Sequence, residues 1–521
     1  MKKITALLLC LSMVLALFSG CDSQSDEPHV PTGDALVMEG QDPDSVGPQK
    51  EEDPQEFSLA YYPDRGLNPL KTNDYTNRVL FSLIYQNLFN VKADYTVEPI
   101  LCSGYRVSSN YRTWTFLIDP KATFSDGSPL TAEDVLATYQ AAKAGGYYSG
   151  RFTHIHEMTI SDDGGITFFL TTTYENLPQL LDIPILKAEE VEAEKPLGSG
   201  PYMLSNSLAG AQLIRSPMWW CGDLEFVVKA GSIPLVEAKD PAHIRDNFEF
   251  YDVGLVLADP CSDMYADFRC DYELWDVDNG IFMYIGCNTR YAEFLEDTTL
   301  RSMLTYGIDR ERLVAENFEG YAHAVTLPAD PSSPYYSKSL AARYAYDPVK
   351  FMEFLGRYGK TEEPIRLLVN ADDSVRLRIA RSIADTFTEF GLPFEVVECT
   401  THKFQQEIYN ANYDLYLGMT KLSSNMDLSP FFAPYGNLSL NGISDEAIYS
   451  LCLESLANQG NYLNLHKAVA EDGRIIPIAF FGYAIYATRG LMTDLTPSRD
   501  NVFAYSLGKT MESIRIQSDN D

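Results

Sequence analysis

Residues 124–135 read FSDGSPLTAEDV, a stretch that combines a tight turn with the start of a helix. Asp126-Gly127 is a turn dipeptide, because glycine tolerates the backbone angles that turns require. Thr131 is followed three residues later by Asp134, which is the spacing of a helix-capping pair. The apolar stripe of the helix that follows is Val135, Leu136, Tyr139 and Ala142. The stretch therefore predicts a rigid turn leading into an amphipathic helix.

The chain from residue 56 onward alternates strand-like and helix-like stretches, which predicts an α/β fold. Arg112 to Ile118 (RTWTFLI) has the alternation of a half-buried strand. Further predicted elements are a strand over 57–62, a helix over 299–306, helices that begin after Asp309 and at Pro348, and a β-α-β unit over 366–370, 376–390 and 394–397. These elements supply one large α/β body rather than a string of repeats.

Composition and charge exclude two classes of protein. The chain has 521 residues, of which 45% are hydrophobic and 12% aromatic, so it is too apolar for a disordered chain. Asp and Glu number 73 against 40 Lys and Arg, which gives a formal net charge of −33. Nucleic-acid binding needs clusters of basic residues to contact phosphates, and such clusters do not stand out here. The sequence predicts a globular protein that does not bind nucleic acid.

The amino terminus has the pattern of an export signal. Lys2 and Lys3 precede the apolar run ITALLLCLSMVLALF over residues 4–18, which is short for a membrane-spanning helix. Ser19-Gly20-Cys21 then resembles the lipobox of bacterial lipoproteins, although Phe18 stands where leucine is usual. The resemblance implies a signal peptide over residues 1–20 and lipidation of Cys21. The alternative is an ordinary secretory signal with a chance cysteine.

Residues 21–55 are rich in Pro, Gly, Ser and acidic residues, which predicts a flexible tether. Together with lipidation of Cys21, this predicts a protein anchored to the cell membrane by lipid and facing the extracellular or periplasmic side. Nine cysteines occur in the whole chain. Cys261 and Cys270 are close enough in sequence to form a local disulfide, which the sequence alone does not establish.

A series of motifs, in order along the chain, resembles the peptide/nickel class of solute-binding proteins that serve ABC importers. The most specific is residues 124–135, which are similar to the family pattern F-x-D-G-x-P-[LV]-T-A-x-D-V. Weaker matches are GSGPY (198–202), PMWW (217–220), FYDV (250–253), CNT (287–289), LR (300–301), GIDRE (307–311), GYA (320–322), YDP (346–348) and IIPI (475–478). The ordered set extends over nearly all of the chain that follows the tether.

This resemblance implies a two-lobed periplasmic-binding-protein-like fold with a cleft that closes on its ligand by hinge motion. Lobe one is expected over 56–90, 195–283 and 475–515, with an inserted subdomain over 91–194, and lobe two over 284–474. Hinges are expected near Cys287-Asn288-Thr289 and near Ile475. The implied fold class has no resident cofactor.

Ligand contacts are expected after the strand that begins at Tyr413. In peptide-binding relatives a carboxylate near this point holds the ligand's amino terminus, whereas this chain has Lys421 and Leu422 there. Lys421 would favour an anionic ligand group, and Asp427 is the nearest substitute carboxylate. The candidate ligand-binding residues are Gly418, Met419, Thr420, Lys421, Leu422, Asp427 and Asn288. His154 and His156 would share one face of a strand and form a weaker candidate metal pair.

The sequence predicts a monomeric, non-enzymatic protein that captures a solute, most simply an oligopeptide, and delivers it to ABC permease and ATPase subunits. On the same fold the solute could instead be a nickel chelate or an oligosaccharide. The alternative from a different class is an exported hydrolase that uses paired carboxylates, and no distinctive catalytic constellation supports it.

Overall fold

A computed structural model describes residues 57–516, except residues 73, 209, 223, 225, 260, 262–267 and 359–362 and the side chains of 278 and 279. The predicted signal peptide, Cys21 and the predicted tether lie outside the described residues. Among the helices that are described, none has the length and apolar character needed to cross a membrane.

Three sheets account for the strands of the described residues. The strands are β1 (Leu59–Tyr61), β2 (Phe89–Val91), β3 (Val97–Pro99), β4 (Cys102–Val107), β5 (Thr113–Ile118), β6 (Ile155–Ile160), β7 (Ile166–Leu170), β8 (Tyr202–Ser207), β9 (Gly210–Arg215), β10 (Ser232–Glu237), β11 (Leu255–Ala258), β12 (Tyr272–Cys287), β13 (Ala322–Ala324), β14 (Ile365–Asn370), β15 (Phe394–Cys399), β16 (Leu415–Lys421) and β17 (Ile475–Thr488).

Helices cover the sheets and are interspersed with short 3₁₀ turns. The α-helices of the described residues are α1 (Tyr75–Ile84), α2 (Ala132–Ala144), α3 (Pro241–Glu249), α4 (Thr298–Leu304), α5 (Arg310–Asn317), α6 (Lys338–Ala341), α7 (Pro348–Tyr358), α8 (Ser374–Glu389), α9 (Thr401–Asn410), α10 (Ser429–Phe432), α11 (Glu446–Ala457) and α12 (Tyr462–Asp472).

The largest sheet is built around two long antiparallel strands, β12 and β17. Its order is β15-β14-β16-β12-β17-β11-β1-β10-β9-β8, and β13 also pairs with β17. The β12–β17 register runs from Tyr272 opposite Thr488 to Gly286 opposite Ile475, with a break between Val277 and Ile281. Both strands therefore extend past the shorter strands on either side and connect the two ends of the sheet. The predicted hinges fall where β12 ends and β17 begins.

A smaller antiparallel sheet, in the order β4-β5-β7-β6, packs against α2 within the predicted inserted subdomain. Phe116 on β5, Phe168 on β7 and Tyr139 on α2 are all fully buried, and the Tyr139 and Phe168 rings lie 5.8 Å apart. The apolar stripe predicted for this helix therefore packs onto the small sheet, although Leu136 is only partly buried. The lobe and subdomain boundaries stay predictions.

The predicted helix caps are confirmed. The Thr131 backbone N–H and hydroxyl both donate to the Asp134 carboxylate, at 2.8 and 3.0 Å. Asp309 accepts from the Arg312 N–H at 3.1 Å, and Asp347 accepts from the Lys350 N–H at 2.9 Å. Each cap satisfies an N–H group that would otherwise lack an acceptor at the start of its helix. The predicted β-α-β unit is also present, as β14, α8 and β15 with parallel strands.

Candidate functional site

The amino-terminal turn of α1 is held firmly in place by buried polar contacts. Asp74 caps the helix by accepting from the Asn77 N–H at 3.1 Å. The fully buried Asn77 side chain accepts from the Tyr62 N–H at 2.7 Å and donates to the carbonyls of Tyr62 and Gly66, at 2.9 and 2.8 Å. Because buried amides are costly unless all their groups are bonded, this network fixes α1 relative to β1. It thereby also fixes Arg78, the next residue of the helix.

Arg78 is a buried guanidinium that forms no ion pair with a carboxylate among the described residues. Only 6% of the residue is exposed. Its Nη2 donates to the Tyr148 hydroxyl at 3.0 Å, and its guanidinium lies 4.0 Å from the centre of the Tyr147 ring. Its Nη1 is buried and has no hydrogen-bond partner in the described part of the chain. A buried charged donor left unpaired is costly, so this atom marks a place where an acceptor is needed.

Asp500 connects three distant parts of the chain beside Arg78. Its carboxylate binds the ammonium of Lys421, the last residue of β16. It also binds Arg151 Nη2 at 3.4 Å, and Arg151 Nη1 binds Asp182. The Tyr147 hydroxyl donates to Asp500 at 3.3 Å. The Asp500 carboxylate therefore joins strand β16, the carboxyl-terminal segment and the part of the predicted subdomain that carries Arg151.

Strong electrostatic coupling follows from this burial. Burial alone would raise the pKa of Asp500, but Lys421, Arg78 and Arg151 outweigh it and hold that pKa well below its usual range. Burial lowers the pKa of Lys421, against the attraction of Asp500. Burial raises the pKa of Asp182, which Arg151 opposes. In the described part of the chain, two carboxylates, Asp182 and Asp500, thus lie beside four cations, Arg78, Arg151, Lys421 and Arg499.

Two narrow cavities adjoin this charged cluster, and Arg78 and Asp500 line both of them. The first cavity is also lined by Tyr148, Asp182 and Asn501. The centre of a water-sized sphere can move within about 30 Å³ of it. That volume holds about two water molecules, which is close to the bulk of one carboxylate group. A larger solute could enter only if the parts of the chain joined by Asp500 moved apart.

Strand β16 carries the predicted ligand-binding residues Gly418, Met419, Thr420 and Lys421, of which Gly418 is buried and the other three partly buried. They pair with Tyr284, Met283, Phe282 and Ile281 of β12. A Cβ on Gly418 would lie 2.7 Å from the Tyr284 ring, so close ring packing requires glycine there.

The opposite edge of β16 is less fully paired. Its recorded pairing with β14 covers only Leu415 and Tyr416. The edge of β16 beyond Tyr416 therefore lies outside the β14 ladder.

Lys421 and Leu422, where the family resemblance implies a carboxylate, are both engaged inside the protein. Lys421 binds Asp500, as described above. Leu422 is buried, its N–H donates to the Gly280 carbonyl at 3.0 Å, and its carbonyl accepts from Arg499 Nη2 at 2.6 Å. Arg499 Nη1 also donates to the Tyr95 hydroxyl at 3.1 Å. The chain thus places two cations, rather than a carboxylate, at the end of β16.

Asn288, another predicted ligand residue, holds backbone segments together. It is fully buried, and its amide donates to the carbonyls of Ala411 and Tyr413, at 3.2 and 2.8 Å. Its side-chain oxygen accepts from the Tyr291 N–H at 3.1 Å. These bonds fix the chain just after β12 ends, at the predicted hinge. Binding of a ligand by Asn288 stays a prediction.

Asp427 and His154 contact each other, which the sequence did not suggest. His154 Nε2 lies 3.2 Å from Asp427 Oδ2, and Asp427 Oδ1 accepts from the N–H and hydroxyl of Ser429 at 2.8 and 2.7 Å. Burial tends to raise the pKa of Asp427, but the contact with His154 outweighs it and the pKa is lowered. Asp427 therefore already has buried partners.

The expected pairing of His154 with His156 on one strand face is wrong. His154 is buried, lies just before β6 and points to Asp427, whereas His156 is exposed. The β6–β7 register is irregular between Ile155 and Glu157, which breaks the alternation on which the expectation relied. No cluster of three or more potential metal ligands occurs within the described part of the chain. Cys261 and Cys270 are both free thiols, so the disulfide considered above is not formed.

The sequence reasoning did not identify Arg78, Arg151 or Asp500. One signal was present: Arg78 interrupts an otherwise apolar helix, in the run NRVLFSLIY over residues 77–85. An unpaired charge within an apolar helix indicates a buried partner or a binding role. The partners themselves, Tyr147, Tyr148 and Asp500, could not be found from local sequence.

The fold is that of two-lobed solute-binding proteins. The crystal structure of the ABC transporter substrate-binding protein CtaP from Listeria monocytogenes is similar, with a TM-score of 0.72 and 17% identity, covering 87% of this chain and 98% of that one. The oligopeptide-binding protein AppA from Bacillus subtilis, in complex with a nonapeptide, gives a TM-score of 0.64 and 18% identity, covering 87% and 99%. These likenesses confirm the predicted fold class.

Sequence comparison gives the family. The chain is 22% identical over 505 residues to a binding protein of Brucella melitensis, covering 79% of this chain and 80% of that protein. Residues 96–439 match the family described as bacterial extracellular solute-binding proteins, family 5, middle region. The chain belongs to this family, as its motifs predicted. Proteins of this family serve ABC permeases as extracytoplasmic binding components.

Proposed function

We propose that this protein captures oligopeptides outside the cell and delivers them to an ABC permease. The observation that carries the peptide assignment is the edge of β16. Its recorded pairing with β14 stops at Tyr416, while the strand continues to Lys421. An extended peptide can add to such an edge through backbone hydrogen bonds, which depend little on its side chains.

The surroundings of this edge suit peptides of varied sequence. AppA, which has the same fold, is in complex with a nonapeptide. The chain has 33 tyrosines, and Tyr75, Tyr147, Tyr148 and Tyr483 lie at or near the charged cluster. Tyrosine combines a broad apolar face with a hydroxyl group, so it accommodates different side chains at low entropic cost.

Delivery to a permease requires the protein to stay near the membrane. We propose that Cys21 is lipidated and that residues 22–55 form the tether. Replacing Cys21 with Ala should release the protein into the medium or periplasm, whereas the same change at the exported but non-lipidated Cys221 should leave it in the membrane fraction. Membrane retention of the Cys21→Ala protein would contradict the anchor and leave the binding function untouched.

A thermal-shift comparison of ligand classes tests the peptide assignment. The protein lacking residues 1–20, with Cys21→Ala, would be heated with a randomised tripeptide pool, with maltooligosaccharides, or with a nickel–histidine chelate. A ligand at 100 times its Kd adds about 2.7 kcal/mol to the free energy of unfolding. We expect a rise in Tm with the peptides alone. A rise with the sugars or the chelate and none with the peptides would overturn the assignment.

A further inference from the structure

Among the described residues, positive side chains outnumber carboxylates in the charged cluster beside α1. Asp500 binds Lys421 and Arg151, and Asp182 binds Arg151. Arg78 lies close to Asp500 and lines one cavity together with Asp182, yet among the described residues it has no ion pair and its Nη1 has no acceptor. One further anionic oxygen would satisfy both the spare charge and the spare donor.

Arg78 is positioned to receive such a group rather than to be a structural cation. Its guanidinium is held from two sides, by the Tyr148 hydroxyl at 3.0 Å and the Tyr147 ring at 4.0 Å. Its backbone is fixed by the Asn77 network at the start of α1. Because both cavities are lined by Arg78, the group that it would bind lies in the space next to Asp500.

By contrast, two other buried arginines, Arg301 and Arg310, have each side-chain nitrogen bonded within the protein. Arg310 donates to the carbonyls of Pro477, Thr305 and Ile308 and to the Thr305 hydroxyl. Arg301 donates to the carbonyls of Asp472, Leu295 and Glu296, and it also binds the Asp472 carboxylate at 3.1 Å. These two show how this fold stabilises a purely structural arginine. Arg78 differs from them because it lines two cavities and its Nη1 has no acceptor among the described residues.

We propose that Arg78 binds a carboxylate of the solute, which for a peptide is its free carboxyl terminus. This inference rests on the proposed function and adds the direction in which the peptide binds. The charged cluster, which joins β16 to the carboxyl-terminal segment, recognises the negatively charged end of the ligand. A carboxylate group fits the space beside Arg78, which holds about two water molecules. Its two oxygens also match the planar geometry of a guanidinium.

Peptide acids and amides test this directly when they compete in one dialysis cell. A randomised tripeptide pool would be made twice, with free carboxyl termini and with carboxyl-terminal amides, and the bound forms would be counted by mass spectrometry. A hydrogen bond to a charged group corresponds to about a 10- to 100-fold preference, so we expect the acids to be enriched by that factor. Equal retention of acids and amides by the unchanged protein would overturn the inference.

Variants then locate the preference. Arg78→Met should reduce acid binding to the level of the amides, and Arg78→Lys should keep only part of the preference, because ammonium lacks the paired donors. Arg357→Met, which removes the same charge from a side chain that is 84% exposed, should behave as the unchanged protein. A full preference retained by Arg78→Met would also overturn the inference.

The same cell separates this inference from the peptide assignment. If neither peptide form binds but citrate or malate does, and that binding is lost in Arg78→Met, the peptide assignment fails and the role of Arg78 stands. If peptides bind but acids and amides bind equally, the peptide assignment stands and the role of Arg78 fails. If neither peptides nor these carboxylates bind, both fail.

Discussion

Lys421 at the end of β16 binds the carboxylate of Asp500, which lies after β17 in the carboxyl-terminal segment. Arg151, which lies in the predicted subdomain, binds the same carboxylate, so this contact joins three parts of the chain. The site beside Arg78 is closed by these contacts. Their strength therefore affects both the stability of the protein and the access of a solute.

Removing the charge of Asp500 should be strongly destabilising. In Asp500→Asn, buried Lys421 loses its anionic partner and Arg151 keeps only Asp182, and breaking one side of a buried ion pair costs about 3 kcal/mol or more. Asp163→Asn is the control, because the pair of Asp163 with Arg106 is exposed and should be worth less than about 1 kcal/mol. Urea unfolding measures both. Equal losses in the two variants would contradict the buried bridge.

His466 should make the protein less stable in mild acid. It is fully buried on α12, neither ring nitrogen has a hydrogen-bond partner among the residues that the structure describes, and burial lowers its pKa to about 3. As the pH falls below about 6.5, His466 binds a proton in the unfolded chain but stays neutral in the folded chain. Up to about 4 kcal/mol of stability should therefore be lost progressively between pH 6.5 and pH 3.

The test for His466 is the pH dependence of unfolding in two matched variants. His466→Gln should flatten the slope of the unfolding free energy over that range, whatever its effect at neutral pH. His156→Gln, at an exposed histidine, should keep the slope. If His466→Gln retains the full slope, the loss comes from other groups.

Gly280 should tolerate alanine less well than a glycine of similar backbone angle. It has φ of +74° at the break in β12, and an added Cβ would lie 2.3 Å from the guanidinium of Arg499. Gly490 has φ of +76° with nothing within 4 Å, so Gly490→Ala reports the backbone strain alone, about 1 kcal/mol. We expect Gly280→Ala to lose at least about 1 kcal/mol more, because Arg499 must leave its bonds with Tyr95 and Leu422. Equal losses in chemical unfolding would show that Arg499 moves freely.

Local features of this chain were readable from sequence because they depend on neighbours within a few residues. The Thr131–Asp134 pair and the caps at Asp309 and Asp347 are of this kind. The β-α-β unit follows from hydrophobic periodicity, and the order of the family motifs indicated the two-lobed fold. None of these inferences requires knowing which distant segments meet.

The charged cluster could not be read in this way. Its members, at positions 78, 151, 182, 421 and 500, come together only through the tertiary fold. A lone charge in a sequence is usually solvated. Alternation along a strand also failed where the strand was irregular. It placed His154 and His156 on one face, although β6 begins after His154 and its register shifts at Glu157.

Pairing of the solute with β16 should depend on the N–H groups of the peptide backbone. Trialanine and its isomer with sarcosine at the central position have the same mass and charge, but the isomer lacks one backbone N–H donor. Losing one such bond to the edge beyond Tyr416 should weaken binding about fivefold or more. Calorimetric titration compares them. Equal affinities would mean that the peptide does not add to β16 at that bond.

Native mass spectrometry shows directly whether this protein binds peptides through a free carboxyl terminus. The protein lacking residues 1–20, with Cys21→Ala, would be purified without unfolding from cells grown on peptide-rich medium, and its bound species identified after release. We expect short peptides with unmodified carboxyl ends. A much smaller fraction of the protein should carry a bound peptide in Arg78→Met than in Arg357→Met. Bound sugars or metal chelates in place of peptides, or equal occupancy in the two variants, would contradict this expectation.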